Sequence, residues 1–237
     1  MRATWLVGLV AVAAWVPPCA AQTVYGAGGL FIHPTALTPP RGDSTLSLSY
    51  FTQRLRGARS EWLPASWALS PTDRVQAGAV FLHWQGGRVS RQSGGLFARW
   101  QLAPVGEGLP AVALAGSLLA GEVRLGQVSL VASQPLASHP WRGVVAHAGL
   151  QWARRADIPT SDEDWSLFGG LEAPMGGGFR LVGEAGTRLG FNRRGALAVG
   201  ILWSGPPGIR IGIGAANIGR SDDPQFFVGA GYALAAR

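Results

Sequence analysis

The four histidines are the first residues to test for chemistry. His33, His83, His139 and His147 lack the spacing typical of metal ligands, and no carboxylate lies near them in sequence. Cys19 is the only cysteine, and it falls in a predicted signal peptide, so disulfides and thiolate sites are excluded from the exported chain. No motif places serine and histidine in a hydrolase triad. We therefore predict no metal, no cofactor and no enzymatic activity, and keep a lipid-modifying enzyme as an alternative.

Glu184 and Arg188 are the strongest local pair of opposite charges. Four residues span about 13 Å along a β-strand, so these two side chains cannot pair directly. Each needs a partner on a neighbouring strand, and Arg210 or Arg99 could supply one. We expect such pairs to stabilise a structure rather than to recognise a ligand.

Residues 1–21 have the three parts of a secretory signal peptide. Arg2 supplies the positive charge at the start, and residues 6–16 form a short apolar core. Ala20 and Ala21 provide a small-residue cleavage site. The chain is therefore expected to divide into a signal peptide at 1–21, a periplasmic N-terminal segment at 22–43 and a single domain at 44–237.

The composition of the chain is unusual for a protein surrounded by water. Hydrophobic residues make up 47% and charged residues only 14%, well below the average of about 25% for soluble domains. Outside the signal peptide no apolar run is long enough for a transmembrane helix. The net charge is +7, yet lysine is absent and the arginines are scattered singly. This argues against nucleic acid as a partner and favours anionic lipopolysaccharide or acidic polysaccharide.

Alternation of apolar and other residues with a period of two runs through the whole chain after residue 43. About twelve such segments occur, although ten strands would also fit, and turn residues rich in Gly and Pro separate them. Compact turns such as 70–73, 174–178 and 204–208 alternate with longer polar stretches at 85–93, 153–164 and 215–224. The parity slips once near Gln127, which predicts a β-bulge. The pattern predicts an all-β, closed antiparallel transmembrane β-barrel with both termini in the periplasm.

The two faces of these strands have different compositions. Aromatic and aliphatic residues form the predicted lipid face, and tryptophans near strand ends, as at Trp62, Trp84, Trp141, Trp152, Trp165 and Trp203, are typical of an interfacial girdle. Polar residues occupy the other face and are expected to line the lumen. The charged and polar candidates for the lumen are Arg99, Arg124, His147, Gln151, Glu172, Glu184, Arg188 and Arg210.

The last segment of the chain has the features of a strand that closes a barrel. Phe226, Val228, Tyr232 and Leu234 share one face, whereas Gly229 lies on the other. Gly229, Tyr232 and Leu234 resemble the closing-strand signal of bacterial outer-membrane proteins, which implies the barrel assembly machinery as a partner.

A resemblance to a known family is carried by the segment Gly29-Leu-Phe-Ile-His-Pro-Thr-Ala36 and by residues 42–46. These stretches, and more loosely residues 65–74, resemble the YjbH-like outer-membrane proteins. The resemblance implies an outer-membrane β-barrel linked to the export or display of exopolysaccharide. YjbH-like proteins are usually several times longer than this chain.

These observations favour a bacterial outer-membrane β-barrel of a structural or transport type. Its expected surroundings are outer-membrane lipid and lipopolysaccharide, with polysaccharide as a partner through the family resemblance. Three alternatives remain from the sequence: a passive porin-like channel for small polar solutes, a lipid-modifying barrel enzyme and a soluble exported β-sandwich.

Overall fold

The computed structural model describes ten stretches of the chain, and the account of the structure is restricted to them. They are residues 21–22, 28–30, 33–55, 58–106, 108–136, 143–155, 162–187, 196–206, 208–216 and 225–234. Most of the predicted signal peptide, His139, Trp141 and Arg188 lie outside these residues. No helix within the described ranges is long and apolar enough to cross a membrane.

All regular secondary structure in the described residues is β-strand. A short antiparallel pair, β1 and β2, precedes twelve longer strands of 8 to 15 residues. The strands are β1 Ala21–Gln22, β2 Gly28–Gly29, β3 Ser44–Leu55, β4 Ala58–Thr72, β5 Val75–Gly86, β6 Val89–Ala103, β7 Ala111–Gly121, β8 Leu125–Pro135, β9 Val145–Arg155, β10 Asp162–Gly176, β11 Phe179–Gly186, β12 Ala196–Gly205, β13 Ile209–Ala216 and β14 Gln225–Leu234.

Strands β3 to β14 form a closed barrel in which each strand pairs with its neighbours in sequence. The last strand, β14, returns to the first, β3, and pairs antiparallel with it from Phe226 opposite Thr52 to Leu234 opposite Ser44. Closure leaves no strand edge in the barrel, so the backbone groups of the ladder are satisfied within the protein. The prediction of a closed antiparallel barrel of about twelve strands is confirmed, and the β-sandwich alternative is excluded.

The connections at the two barrel ends agree with the predicted alternation only in part. The compact turns predicted at 70–73, 174–178 and 204–208 all fall at one end, and β9–β10 and β13–β14 are joined at the other. β3 begins and β14 ends at the same end, which we call the termini end. The long connections 104–110 and 136–144 lie there, beside the short turns 73–74 and 177–178. At the opposite end, the predicted polar loop at 85–93 is only a turn at 87–88, because Gly87 adopts a positive φ of 60° and both strands continue to it.

The outer surface of the barrel is a continuous apolar band. Leu96, Leu118 and Leu167, which lie on three different barrel strands, are exposed by 69%, 65% and 61%. Exposed side chains of this size on every second residue match the lipid-facing surface of membrane barrels. The predicted parity is confirmed for the closing strand, where Phe226, Val228 and Leu234 are exposed and Gly229 faces the interior against Ser49.

The parity slip near Gln127 is not a bulge. Strands β7 and β8 pair without interruption from Leu119 opposite Leu125 to Ala111 opposite Ser133. Val123 and Leu125 are buried, exposed by only 3% and 2%, so they belong to the interior face rather than to the lipid face. Shifts in register occur instead near the termini end, between 69 and 72, 101 and 103, and 174 and 176.

Part of the barrel interior is apolar rather than polar. We call the buried cluster of Trp62, Val80, Leu82, Phe97, Leu119 and Leu125 the apolar layer. These residues extend from the middle of the barrel towards the end opposite the termini. Trp84 packs against the layer, with its ring centroid 6.2 Å from that of Trp62. The prediction that Trp62 and Trp84 belong to an interfacial girdle is therefore wrong, whereas Trp165, exposed by 62%, is on the outer face.

Candidate functional site

Residue 30 and residues 33–37, which precede the first barrel strand, lie inside the barrel. Leu30, His33, Thr35 and Ala36 are each at most 2% exposed, and they contact interior side chains of strands as far apart as β6 and β11. We call residues 30–37 the plug; residues 31 and 32 are outside the described part of the chain. The sequence separated a periplasmic segment at 22–43 from the barrel domain, whereas the barrel wall surrounds the described plug residues.

Strands β5 and β6 hold one side of the plug through its backbone carbonyls. Arg99, which is fully buried, donates from Nη1 to Thr35 O at 3.0 Å and to Thr35 Oγ1 at 3.3 Å. Its Nη2 donates to Gln76 Oε1 at 3.0 Å, which orients the guanidinium. Gln101 Nε2 donates to Ala36 O at 3.0 Å. A fork of fixed donors suits this role because a carbonyl buried without a donor would be strongly destabilising.

Strands β8, β9 and β10 hold the plug from another side through a relay of side chains. Ala36 donates its backbone N–H to Ser133 Oγ at 2.8 Å, and Ser133 Oγ lies 2.8 Å from His147 Nδ1. The Ser133 hydroxyl can donate one hydrogen bond and accept two, so either it or the His147 ring nitrogen is the donor in this contact, depending on the histidine tautomer. His147 Nε2 is 3.3 Å from Glu172 Oε1 in an approach too oblique for a hydrogen bond. Arg180 Nη1 lies 3.4 Å from the other Glu172 oxygen.

His33 is the third anchoring point of the plug, on β10 and β11. Its backbone N–H donates to Glu184 Oε2 at 3.2 Å, and its ring Nδ1 lies 3.1 Å from the same oxygen. The imidazole stacks on Phe168 at a centroid distance of 4.2 Å and an angle of 12°. One carboxylate therefore holds both the backbone and the side chain of His33.

Leu30 packs against the wall at a position where the wall residue is a glycine and has no side chain. It is fully buried and clusters with Val182 and Leu202. A Cβ built on Gly170 of β10 would collide with Leu30 Cδ1, so Gly170 forms a socket for this leucine. The plug is thus held by shape at Leu30 and by hydrogen bonds from His33 to Ala36.

Ser133, His147 and Glu172 are the residue types of a serine hydrolase, but their geometry does not suit one. Ser133 Oγ accepts the Ala36 N–H, so it lies along that bond and close to the plane of the peptide. To cleave the peptide bond before Ala36, a serine oxygen would have to approach the carbonyl carbon from above the peptide plane, not within it. Ser133 is also only 1% exposed, so a substrate has no access to it while the plug is in place. The arrangement fits an anchor for the plug.

The structure buries five of the eight predicted lumen residues. Arg99, His147, Glu172 and Glu184 contact the plug or belong to the relay that holds it, and Gln151 donates to Gln127 Oε1 at 2.9 Å. The remaining three are Arg210, which is half-buried on the inward face of β13, Arg124, which is exposed in the connection between β7 and β8, and Arg188, which is outside the described residues. Arg124 does not lie on a strand, because β7 ends at Gly121 and β8 begins at Leu125.

Two of these residues bind the plug, which the sequence did not predict. Glu184 holds His33, and Arg99 holds Thr35. His33, Thr35 and Ala36 were missed as site residues because they precede the first strand. Ser133, Gln76 and Gln101 could have been predicted as lumen residues, because they are polar and lie at inward positions of the alternation. Within the described ranges, no three potential ligands are grouped around a metal site.

The fold matches solved outer-membrane structures at very low sequence identity. No protein-family model and no curated protein matches the chain. An outer-membrane channel from Pseudomonas putida F1 is 12% identical, with 84% of this chain and 98% of that chain covered and a TM-score of 0.57. The KdgM porin in complex with disordered oligogalacturonate is 10% identical, with 81% and 99% covered and a TM-score of 0.56.

A third match is the translocator domain of the autotransporter NalP from Neisseria meningitidis. It is 12% identical, with 84% of this chain and 90% of that chain covered and a TM-score of 0.50. At such identities the similarity concerns the fold alone. The chain is a closed twelve-stranded barrel with the architecture of outer-membrane β-barrel proteins.

Proposed function

We propose that this protein is a channel of the bacterial outer membrane whose lumen is closed by its own plug. The apolar outer band supports a membrane location, because a barrel with this surface would aggregate in water. Lipid and lipopolysaccharide are then its surroundings, and the barrel assembly machinery inserts it. The termini end faces the periplasm in this arrangement.

The observation that carries the proposal is the way in which the wall holds the plug. The plug is bound mainly by hydrogen bonds with side chains of the wall and not by a strand ladder. Arg99 and Gln101 donate to its carbonyls, whereas Ser133 and Glu184 accept from its backbone N–H groups. Hydrogen bonds from side chains can be exchanged for bonds to water one at a time, whereas a ladder opens cooperatively. The plug can therefore leave while the barrel stays intact.

Displacement of the plug can be measured with a single cysteine. Thr35→Cys, in a Cys19→Ser background, places a thiol at a position that is 1% exposed when the plug is seated. Purified protein in detergent micelles is treated with a water-soluble maleimide at a temperature at which the barrel remains folded. We expect slow but measurable labelling. Ser90→Cys, exposed on β6, provides the control for reagent activity and should react at once.

Two results would contradict the channel. If Thr35→Cys reacts only when the barrel unfolds, as judged by loss of heat-modifiable gel mobility, the plug is a permanent part of the core. If a disulfide that tethers the plug leaves the entry of p-nitrophenyl glucoside into proteoliposomes unchanged, the plug does not control passage. Ala36→Cys with Ser133→Cys is the tether, since the Ala36 N–H contacts Ser133 Oγ directly at 2.8 Å.

A link to exopolysaccharide is a second candidate, favoured by one observation. The segment that resembles the YjbH-like proteins, residues 29–36, is nearly the same segment that fills the lumen. A polysaccharide partner would then act on the plug. Oligogalacturonate, the ligand of the KdgM porin structure, is a convenient probe: it should accelerate the labelling of Thr35→Cys, and neutral maltohexaose is the control. Equal labelling with both sugars would contradict recognition of an acidic polysaccharide.

The same contacts support a protein without enzymatic activity. The only Ser–His–Glu arrangement among the described contacts is used to hold Ala36. Phospholipid or lipid A turnover that is lost on replacing His147 would contradict this part of the proposal.

A further inference from the structure

The apolar layer lies in the lumen beyond the plug. Its six side chains come from five adjacent strands, β4 to β8, and all are inward and at most 6% exposed. Phe51 of β3 stacks on Trp62 with ring centroids 5.5 Å apart, which extends the layer around the wall. On the other side of the barrel, the inward Ala198 is also apolar and buried. Phe168 and Val182 lie there too, but they pack against His33 and Leu30 of the plug.

The apolar layer and the plug are held by different contacts. The plug packs with Ala111, Ala113 and Val145 near the termini end and with Val182 and Leu202. The described members of the apolar layer form a separate cluster in which no plug residue takes part. Removal of the plug therefore leaves the mutual contacts of the layer in place.

An apolar constriction has a defined effect on what can pass. Water in such a constriction finds no hydrogen-bond partners, so the constriction dewets and blocks ions that carry a hydration shell. A solute with an apolar face gains free energy by contact with the same side chains. A lumen lined only by polar groups would show the opposite preference.

We propose that the apolar layer is a second seal in series with the plug, and that it selects solutes with an apolar or aromatic face over fully polar solutes and ions. The inference rests on the channel proposed above. It identifies Leu82 and Leu119, each 2% exposed, as residues that determine selectivity. Neither residue makes a polar contact with the plug.

The test separates the two seals by combining variants. Glu184→Ala removes an anchor of the plug, and Leu82→Ser with Leu119→Ser makes the layer polar. Leu118→Ser is the matched control, because Leu118 is the neighbour of Leu119 on the outward face and is 65% exposed. Each variant carries Thr35→Cys, so maleimide labelling reports whether its plug is displaced. Heat-modifiable gel mobility reports whether its barrel is folded, and single Leu82→Ala replaces the double change if that barrel fails to fold.

Conductance in planar bilayers gives the first readout. We expect Glu184→Ala to label rapidly but to conduct ions no better than the parent, and the combination with the two serines to conduct at least about tenfold more. The combination with Leu118→Ser should remain silent. Rapid labelling together with high conductance in Glu184→Ala alone would overturn the second seal. Absence of rapid labelling in Glu184→Ala would count against the plugged channel itself.

Swelling of proteoliposomes gives the second readout, with glucose and p-nitrophenyl glucoside as the matched probes. Protein-free liposomes correct for direct diffusion of the glucoside. In the Glu184→Ala variant the glucoside should enter several times faster than glucose, and the two serines should remove the difference. Equal entry of both probes before the layer is changed, or exclusion of both from every variant, would overturn the inferred selectivity.

Discussion

The contact between His33 and Glu184 offers the sharpest test of the plug. Glu184 Oε2 accepts the His33 backbone N–H at 3.2 Å and lies 3.1 Å from the ring Nδ1. Glu184→Ala removes both interactions and leaves buried groups of the plug without an acceptor. Glu184→Gln keeps an oxygen at the same place and removes only the negative charge.

The size of the effect follows from the number of bonds lost. A buried hydrogen bond contributes about 0.5–1.5 kcal/mol, and one to a charged group about 1.5–3 kcal/mol. Loss of both bonds should therefore favour the displaced plug by roughly 3 kcal/mol, which corresponds to about a hundredfold rise in its population. Glu184→Gln should shift the balance by about 1 kcal/mol, or roughly fivefold.

The assay is the labelling rate of Thr35→Cys in folded protein. When the plug closes faster than the reagent reacts, the rate is proportional to the displaced population. The order should be alanine fastest, glutamine intermediate and the parent slowest. Glu163→Gln is the matched control: Glu163 also lies in the barrel wall and pairs with Arg154 at 3.4 Å, but both side chains are about half exposed, so little should change.

Two outcomes would refute this reasoning. Equal rates for the parent and Glu184→Ala would mean that the His33 contact does not hold the plug. A fall in the temperature of the gel-mobility transition that accounts for the whole increase in labelling would mean that the variant loosens the barrel rather than the plug.

Three further predictions concern the wall. Arg99→Lys should raise labelling about tenfold, because lysine lacks the fork that joins the plug carbonyl to its neighbour on β5, and an unchanged rate would contradict that role. Gly170→Val should also raise labelling by filling the leucine socket, whereas Gly183→Ala, which meets open space, should not; equal effects would exclude the socket. Leu130→Arg, at the middle of β8, should lower the free energy of unfolding by about 2–4 kcal/mol, and Leu102→Arg, near a strand end, by about 0–1 kcal/mol, as measured by urea titration in lipid vesicles. An equal loss of stability in both variants would argue against a membrane-spanning band.

Several parts of the fold could be predicted because they depend on neighbours along the chain. In a strand successive side chains point to opposite faces, so the alternation at Leu96, Ala98 and Trp100 indicates which face meets lipid without any knowledge of the partner strand. The closing strand was predicted for the same reason, since Gly229 and Tyr232 differ in face by parity alone. Backbone satisfaction in lipid then requires closure.

Parity identifies the inward residues but not their surroundings. The alternation places Leu82 and Leu119 on the inward face, where polar lumen residues are expected. It does not show that their side chains pack into an apolar cluster inside the barrel. Trp62 near a strand end is compatible with a girdle or with the core, and only its contacts with Phe51 and Trp84 place it inside.

The sequence by itself determined the strands and, for most of them, which face meets lipid, because both follow from a period that is readable over a few residues. It limited the number that closes the barrel to ten or about twelve. The tertiary structure alone decided what fills the lumen. His33 and Glu184 are 151 residues apart in the chain, and Thr35 and Arg99 are 64 apart. Such contacts form because closing the barrel brings distant strands around one segment, and no local pattern encodes which segment that is.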